Sequence, residues 1–493
     1  MVRNGQQYVE SLKGNRTIFV NGEKVTDVVN HPAFQGIVAT IAKLYDIAAD
    51  PTNNMTYETD DQTVANKIYM IPKNMEDIKS RREAIECWSR STYGMVGRSP
   101  DHVAGFLAGF ASMPEVFARG GQQYADNLLN FYKHVRDNDL YVSYVIIPPQ
   151  IDRSKSVHEL EDEFLATGVY EEKEDGIVVR GSHMLGTGTA VSNYLFVSVI
   201  NPLFPGDEKY ALSFAVPVDT PGLKLYTRPS YALGKESVYD HPLSTRFDES
   251  DALVVFDDVF IPWEQVFVYQ NLEVQRAQFT ETPAHRIGNH QAQVRLTTKI
   301  KFAIGLARKV ARVNGIDRIP AVQEKLAELA TISTSVEGQL LASEYMCTYD
   351  SNGTAIPNAK FLYGSMGRQT TLYSQVIQIL RELVGGGVLQ VPSSYKELVS
   401  EETLKDMNRY IRTANSMEAI EKVKLLRLVW EVIGSEFGGR HQQYEMFYAG
   451  AAHVVKGYAY RNYDFEENEK LVEHCLSEYD IYTKSDKTIK NVI

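Results

Sequence analysis

Cysteine is almost missing. Cys87, Cys347 and Cys475 are the three in 493 residues, too few and too scattered for a disulfide framework and without the spacing of a zinc site. They read as reduced thiols in a reducing compartment, and no metal is expected. Long apolar runs are missing too. Nothing approaches the roughly 20 consecutive apolar residues of a membrane span, and the opening "MVRNGQQYVESL" lacks an apolar signal core, so a cytoplasmic protein with no membrane contact is expected. Positive charge is in deficit: 51 Lys and Arg against 63 Asp and Glu give a formal net charge of −12, and no basic cluster stands out. Nucleic-acid backbones are held by clustered cations, so a nucleic-acid partner is excluded. The chain also lacks G-x-G-x-x-G after a strand, G-x-x-x-x-G-K-[ST], H-E-x-x-H and G-x-S-x-G, which removes dinucleotide loops, P-loops, zincins and serine hydrolases. What remains is metal-free chemistry, or chemistry borrowed from a cofactor bound without those loops.

What is present falls into three zones. From about residue 32 to 139 the pattern is helical: "MEDIKSRREAIECWSRSTYGM" puts Ile78, Ile85 and Trp88 near one face, and "DHVAGFLAGFASMPEVF" follows a Ser-Pro start. Ser99 is the expected N-cap there, with Pro100 at the first helical position, where its missing N–H costs nothing. From Tyr141 the pattern changes to short strands, "LYVSYVII", "NYLFVSVI", "YALSFAVPV", "LKLYTR" and "ALVVFDDVFIPW", with a hairpin predicted around Asp175-Gly176. These strands predict a middle β-sandwich or β-barrel ending near Tyr269.

After about Thr282 helices return. Val322, Leu326, Leu329, Ile332, Val336 and Leu340 recur every three or four positions and define one apolar stripe. With "LTTKIKFAIGLARKVARV", "LYSQVIQILRELV" and "AIEKVKLLRLVWEVIGSEF" they predict a four-helix bundle. The glycines at 385–387 are expected to stop the third of these helices and those at 438–439 the fourth. The expected architecture is α+β: an N-terminal helical domain (1–140), a middle β domain (141–275) and a C-terminal helical bundle (276–493). By analogy that order is acyl-CoA dehydrogenase-like.

Three short stretches could carry chemistry. In Arg98-Ser-Pro-Asp-His102 a guanidinium and an imidazole lie at i and i+4, so both can face one pocket; the plainer alternative is an ion pair of Arg98 with Asp101 at a helix start. Pro148-Pro-Gln-Ile-Asp-Arg153 leaves a strand with an amide, a carboxylate and a guanidinium that suit a flavin ring or pyrophosphate, or else form a solvated loop. Gly186-Thr-Gly-Thr189 lets a planar ligand approach the backbone, or is a simple β-turn.

In order and over nearly the whole chain, "GQQYVESL", "HPAF", "YGMVGRSPD", "PPQIDR", "GIVVRG", "HPLSTRFDESDALVVFDDVFIPWE", "GSEFGGRHQQYE" and "CLSEYD" resemble the large component of two-component flavin monooxygenases typified by 4-hydroxyphenylacetate 3-monooxygenase. The resemblance implies a homotetramer that uses FAD, delivered as FADH2 by a separate NAD(P)H-dependent flavin reductase, with O2 as co-substrate. It implies transfer of an oxygen from a flavin C4a-hydroperoxide to the carbon ortho to a phenol hydroxyl, giving a catechol. It assigns Thr187 beside the flavin ring, Gln150, Asp152 and Arg153 to holding the flavin, and the loop Gly434, Ser435, Glu436 and Phe437 to cofactor contact from the bundle. It assigns Arg98 to the phenol, whose ordinary pKa of about 10 a neighbouring cation lowers.

One departure stands out. In this resemblance a tyrosine is expected after "SPD" and a histidine in the strand before the proline-rich exit, both meeting the substrate. This chain has His102 and Tyr144 in those places, so the two groups are exchanged, and His102 is expected to take over the phenol-polarising role. His290, in "RIGNHQAQVRL", and His441, in "GGRH", are secondary candidates that serve equally well as structural residues. The rivals are an acyl-CoA dehydrogenase or 4-hydroxybutyryl-CoA dehydratase type of flavoenzyme, the latter needing cysteine ligands this chain lacks in sequence, and a non-catalytic scaffold.

Overall fold

The computed structural model describes residues 2–413 and 417–479. Residues 480–493, with the Asp480 that ends "CLSEYD", lie outside the described residues. The middle β zone is a pair of sheets. The larger has six strands in the order Glu23–Val25, Ile18–Val20, Leu223–Thr227, Asp251–Pro262, Gly176–Thr187 and Gly168–Lys173; the smaller has four, Val266–Tyr269, Leu212–Pro217, Tyr194–Val197 and Val142–Val145. Both are mixed, because Ile18–Val20 pairs parallel with Leu223–Thr227, and Val142–Val145 pairs parallel with Tyr194–Val197. Phe214 of the smaller sheet meets Phe256 of the larger edge-on at 5.8 Å, so the sheets pack face to face as a sandwich, and among the described residues no closed barrel is formed. The hairpin about Asp175-Gly176 is present as the antiparallel pair Gly168–Lys173 and Gly176–Thr187. The strands at residues 18–25 have no counterpart in the sequence reading; three residues each is too short for a period to declare itself.

The bundle is built on Ala284–Val313, Pro320–Tyr345, Ala359–Val384 and Ala419–Ile433. Val384 ends the third at Gly385, whose φ of 59° favours glycine. The glycines at 438–439 do not stop the fourth. That helix ends at Ile433, Gly434 follows as its C-cap, and Ser435 starts a new helix, Glu436–Met446, that contains both glycines. A capping serine that accepts from Gly438 N–H at 3.0 Å outweighed the helix-breaking tendency of the pair. Ser99, too, departs from its expected role. The helix Asp101–Ala111 begins after Pro100, which already has helical dihedrals, and the Ser99 hydroxyl donates to Asp101 Oδ1 at 2.6 Å rather than capping a backbone N–H.

Asp101–Ala111 is buried along its whole length, which explains its composition of small and apolar residues. Gly105 and Gly109 bring it against the N-terminal half of Ala284–Val313. A Cβ at Gly109 would lie 2.3 Å from Ala284 Cα, and one at Gly105 would lie 3.2 Å from Gly288 Cα and 2.5 Å from Arg81 Nη2. The reverse face is equally tight, since a Cβ at Gly288 would lie 2.2 Å from the Phe106 ring. This close helix contact fixes where the turn at residues 95–100 emerges. Glu431 does the same between bundle and sheets: its carboxylate accepts from the N–H groups of Leu243 at 2.8 Å and Ser244 at 2.7 Å and from the Ser244 hydroxyl at 3.0 Å.

Two predictions follow from this packing. Gly109→Leu is expected to lower stability by about 1–3 kcal/mol, the usual cost of overpacking, read as a fall in thermal midpoint together with weaker ligand binding at the displaced turn; an unchanged midpoint would refute the close contact. Burial pushes the Asp101 carboxyl up to about 6, only partly opposed by Ser99, Arg81 and Gln291. A folded value above the unfolded one contributes stability that is full below the unfolded pKa and is lost as pH rises through about 6. Asp101→Asn is therefore expected to melt higher than the native chain at pH 7–8, by an amount on the order of 2–3 kcal/mol from about two pKa units, with the gap closing below about pH 4. A gap independent of pH would contradict the shift.

Candidate active site

The turn "MVGRSPDH" is held open by contacts from three directions. Arg98 N–H donates to Glu249 Oε1 at 2.6 Å, Tyr141 donates its hydroxyl to Arg98 O, and Gly97 admits the Tyr444 hydroxyl so closely that a Cβ there would lie 2.2 Å from it. The guanidinium of Arg98 then reaches inward. It donates to His102 Nε2, to the Tyr448 hydroxyl at 3.0 Å and to the Tyr448 carbonyl at 3.2 Å, and its carbon lies 4.4 Å from the Tyr448 ring centre and 5.2 Å from that of Tyr144. Asp101 is not its partner; that carboxylate takes the Ser99 hydroxyl and Gln291 Nε2 at 3.0 Å. Among the described residues no carboxylate pairs with the Arg98 guanidinium. Burial works against its charge, but Tyr144, Tyr444, Tyr448 and Glu249 more than offset this and hold it protonated.

His102 lies wholly inside. Its ring stacks on Tyr144 at 5.0 Å and 23°, with Phe106 at 5.3 Å and the edge of Tyr448 at 6.2 Å. An arginine can only donate, so His102 Nε2 accepts and the neutral ring carries its proton on Nδ1. Burial, then the charges of Arg98 and Arg295, push the His102 pKa well below its ordinary 6.5. Its Nδ1 is buried and has no partner among the described residues. Tyr144 comes from the strand Val142–Val145, so helix and sheet each deliver one ring. Arg98, His102 and Tyr144, three residues singled out in the sequence, are brought together.

On the other side of Arg98 a chain of charges runs to Thr187. Glu249, which takes the Arg98 N–H, also takes Arg440 Nη1 at 3.3 Å through Oε2. Arg440 grips Asp251 with Nη2 at 2.7 Å and Nε at 3.0 Å, Arg228 adds Nε at 2.8 Å, and Thr187 Oγ1 donates to Asp251 Oδ1 at 2.6 Å. Burial alone would raise Asp251, but the two guanidinium groups win and hold it far below the usual carboxylate range. Past Thr187 the backbone turns at Gly188 with φ 75°, a left-handed conformation at which a Cβ would also lie 2.5 Å from the Tyr141 hydroxyl.

The remaining sequence candidates divide. Gln150, Asp152 and Arg153 lie on an exposed loop, where Asp152 accepts from Ser154 N–H at 3.0 Å and its hydroxyl at 2.6 Å and so is committed to its own turn. Gly434 and Glu436 are exposed, Ser435 caps its helix, and Phe437 is buried edge-on to His441 at 4.3 Å. His441 Nδ1 accepts from Lys299 Nζ at 2.8 Å, and burial followed by Lys299 and Arg440 pushes its pKa well below 6.5. His290 pairs with Glu344 Oε1 at 2.9 Å, and Glu344 in turn takes Arg82 Nε at 2.9 Å, so His290 serves a buried tie between helices rather than the Arg98 cluster.

Several residues were not picked out by sequence reasoning. Glu445, wholly buried, takes both arms of Arg295 at 2.7 and 2.8 Å and Lys299 Nζ at 2.8 Å, and these cations hold it ionised, down to about 2, against its burial. Arg295 in turn lies 5.6 Å from the Tyr444 ring and 5.5 Å from that of Tyr448, behind the aromatic wall. The signal for these residues lay in "GGRHQQYEMFY", where Arg440, Tyr444 and Tyr448 recur every four positions and His441 and Glu445 mark the neighbouring row.

A flavin fits what is here. The hydroxyl of Thr187 and the buried Ser250 Oγ, which has no partner among the described residues, stand at the strand end, while Gln150 and Arg153 are exposed on the loop that follows the strand of Tyr144. Hydroxyl and amide groups suit the carbonyl and N–H edge of a flavin ring, and a guanidinium suits its pyrophosphate. Among the described residues no group of three or more His, Cys, Asp and Glu is placed to hold a metal ion.

The family model for the N-terminal part of 4-hydroxyphenylacetate 3-hydroxylase matches residues 4–268, and that for its C-terminal part matches residues 275–477. A 4-hydroxyphenylacetate 3-monooxygenase oxygenase component from Pseudomonas aeruginosa is 34% identical over 97% of this chain and 93% of its own length. The crystal structure of the oxygenase component HpaB of 4-hydroxyphenylacetate 3-monooxygenase, complexed with FAD and 4-hydroxyphenylacetate, superposes with a TM-score of 0.91 at 33% identity, covering 97% of this chain and 98% of that one. An archaeal 4-hydroxybutyryl-CoA dehydratase from N. maritimus superposes at 0.88 over the full length of both chains with 20% identity, which extends the likeness of fold alone and places it in the acyl-CoA dehydrogenase-like class. The chain belongs to the 4-hydroxyphenylacetate 3-hydroxylase family.

Proposed function

We propose that this protein is the oxygenase component of a two-component, reduced-FAD-dependent monooxygenase that hydroxylates a para-substituted phenol, 4-hydroxyphenylacetate-like or tyrosine-derived, ortho to its hydroxyl. The products are a catechol, water and oxidised FAD. The observation that carries this reading is the guanidinium of Arg98, which bonds no carboxylate among the described residues and has His102, Tyr144 and Tyr448 around it. A cation with no carboxylate bonded to it favours an anionic ligand oxygen, so a phenol bound there is drawn toward phenolate. Electron density pushed into the ring makes its ortho carbon the better nucleophile.

Reduced FAD, brought by a separate NAD(P)H-dependent flavin reductase, supplies the electrons and activates O2. The chain's own residues do the rest. Gln150, Arg153 and the helix junction at residues 434–437 hold the cofactor, and Thr187 contacts its ring. Tyr144 and Phe106 form the walls that keep a flat substrate in place. His102, neutral with its proton on Nδ1, has the N–H left free to donate to a ligand oxygen, which is how it takes the phenol-polarising role. We further propose that the chain divides at about residues 140 and 275 into helical, β and helical domains, and that it works in the cytoplasm, where NAD(P)H is at hand, as a homotetramer. Exposed apolar side chains on the last two described helices, such as Tyr460, Phe465 and Leu471, support self-association.

The test is aerobic turnover with FAD, NADH and an added flavin reductase against a panel of para-substituted phenols, with catechol as the readout. Release of hydrogen peroxide with no catechol from any phenol would refute the substrate class, and a protein purified yellow with tightly held oxidised FAD would favour an acyl-CoA dehydrogenase type instead. Arg98→Met is expected to lower kcat/KM roughly 10²–10³-fold, the scale of a lost charge-stabilising donor. His102→Ala should reduce hydroxylation far more than binding of reduced FAD, and unchanged turnover would remove His102 from the mechanism.

A further inference from the structure

A cavity of about 320 Å³ opens between the helices Gly5–Ser11 and Gln122–Asp137 and the smaller sheet. It shares no lining residue with the Arg98 cluster, and its volume lies at the small end of the roughly 300–1,000 Å³ of small-molecule sites. Arg16 lines it and is only 8% exposed. Its Nε donates to Leu12 O at 3.2 Å, and its Nη1 to Ala190 O at 3.2 Å and Ser192 O at 2.6 Å, while Nη2 bonds nothing among the described residues. Three carbonyls orient the guanidinium without cancelling its charge, and a buried charge with no counter-charge bonded to it is unfavourable. Burial lowers the Arg16 pKa from its ordinary value, with Tyr8 and Asp219 opposing.

Asp219 also lines the cavity. It is exposed and bonds neither Arg16 nor any other group among the described residues; a Cβ at Gly14 would lie 3.0 Å from its Oδ2. The cavity therefore presents one cation and one anion that do not satisfy each other. A phosphate would be drawn by Arg16 and repelled by Asp219, and a simple amine the reverse. A ligand that carries both charges close together meets both. The rest of the lining suits a flat side chain: the rings of His134 and Tyr194 stand edge to face at 5.9 Å and 79°. Asn138, whose Nδ2 is committed to His134 O at 2.9 Å, keeps its Oδ1 as an acceptor.

We propose that this cavity binds a free α-amino acid with an aromatic side chain: Arg16 takes the carboxylate, Asp219 and Asn138 Oδ1 take the ammonium, and His134 and Tyr194 receive the ring. Its occupant meets the catalytic half of the molecule through Arg16, because the Nη1 that holds the Ala190 and Ser192 carbonyls grips the turn Thr189–Val191, directly after Thr187 and Gly188.

The test is calorimetric titration of the full chain with L-phenylalanine, with phenylpropionate, which lacks the ammonium, and with phenethylamine, which lacks the carboxylate. None of the three has a phenol hydroxyl for the Arg98 cluster. L-Phenylalanine is expected to bind tightest. Phenethylamine should bind roughly tenfold more weakly, the scale of a lost hydrogen bond to a charged group. Phenylpropionate should lose less, because Asp219 is exposed and its ion pair is screened. Asp219→Asn, at a side chain with no bonds to break, should leave the thermal midpoint in place and bring L-phenylalanine down to phenylpropionate, while the gap to phenethylamine persists. Failure of L-phenylalanine to bind, or equal binding of all three, overturns the proposal. If the native protein prefers L-phenylalanine and Asp219→Asn leaves that preference whole, the amino acid sits elsewhere and this cavity is not its site.

Discussion

The grip of Arg440 on Asp251 and Glu249 is the contact on which the rest of the site depends. It joins three parts of the chain that are far apart in sequence: the helix Glu436–Met446, the head of the strand Asp251–Pro262, and, through Glu249 and the Arg98 N–H, the turn before Asp101–Ala111. Desolvating these charges is costly, and buried ion pairs are poor sources of net stability. Their value here is geometric. Once Glu249 is pulled between Arg440 and the Arg98 backbone, the cation facing the ring cluster and the hydroxyl at Thr187 are held at a fixed offset, each on a different side of the same pair of carboxylates.

A second buried network stands behind the first and does different work. Glu445 is shared by two cations, Arg295 and Lys299, and Gln369 Nε2 fills a further lone pair at 2.9 Å. The arginine of that set lies against the Tyr444 and Tyr448 rings, so the aromatic wall around Arg98 is backed by charge rather than by aliphatic side chains. A backed wall matters because Tyr448 holds the Arg98 guanidinium with both its hydroxyl and its carbonyl. Arg440, Arg228, Arg295 and Lys299 each bond a carboxylate, whereas the Arg98 guanidinium bonds none among the described residues, which is what the proposed ligand role for Arg98 draws on.

Much of this was legible in the sequence, for reasons that differ by element. The order helix, sheet, helix follows from long runs of one period, and the Asp175-Gly176 hairpin from turn chemistry that few other arrangements accept. Arg98 and His102 were legible because i and i+4 on a helix start share a face. The strands at residues 18–25 were not, being shorter than the period needed to read them, and they exist because the edge of Leu223–Thr227 offers a partner. Gly434 rather than the 438–439 pair ends the fourth bundle helix because a serine cap competes with a glycine's tendency to break helices, and that contest is decided by the Gly438 N–H in three dimensions. Asp251, Glu249 and Glu445 looked like surface acids on a chain rich in them; nothing local says that a carboxylate will be buried until its arginine, well over a hundred residues away, is known.

The exchange of histidine and tyrosine that the family resemblance implies is compatible with the ring geometry. Positions 102 and 144 face each other as stacked rings, so either order leaves one imidazole and one phenol in the same space. Order matters because only position 102 shares a helix start with Arg98. A phenol hydroxyl there would be free to donate onward, whereas the imidazole offers a ring nitrogen that must accept from the guanidinium, and accepting fixes its tautomer and keeps it neutral. Burial reinforces the same state, since a second positive charge beside Arg98 would be unsupported. The arginine's charge is thus left whole, and the donor that remains is the Nδ1–H of a ring that cannot easily become a cation. In this order of residues the cluster offers a positive charge and a neutral N–H, the pair that the proposed reading sets against a phenolate oxygen, while Tyr144 comes from the sheet side.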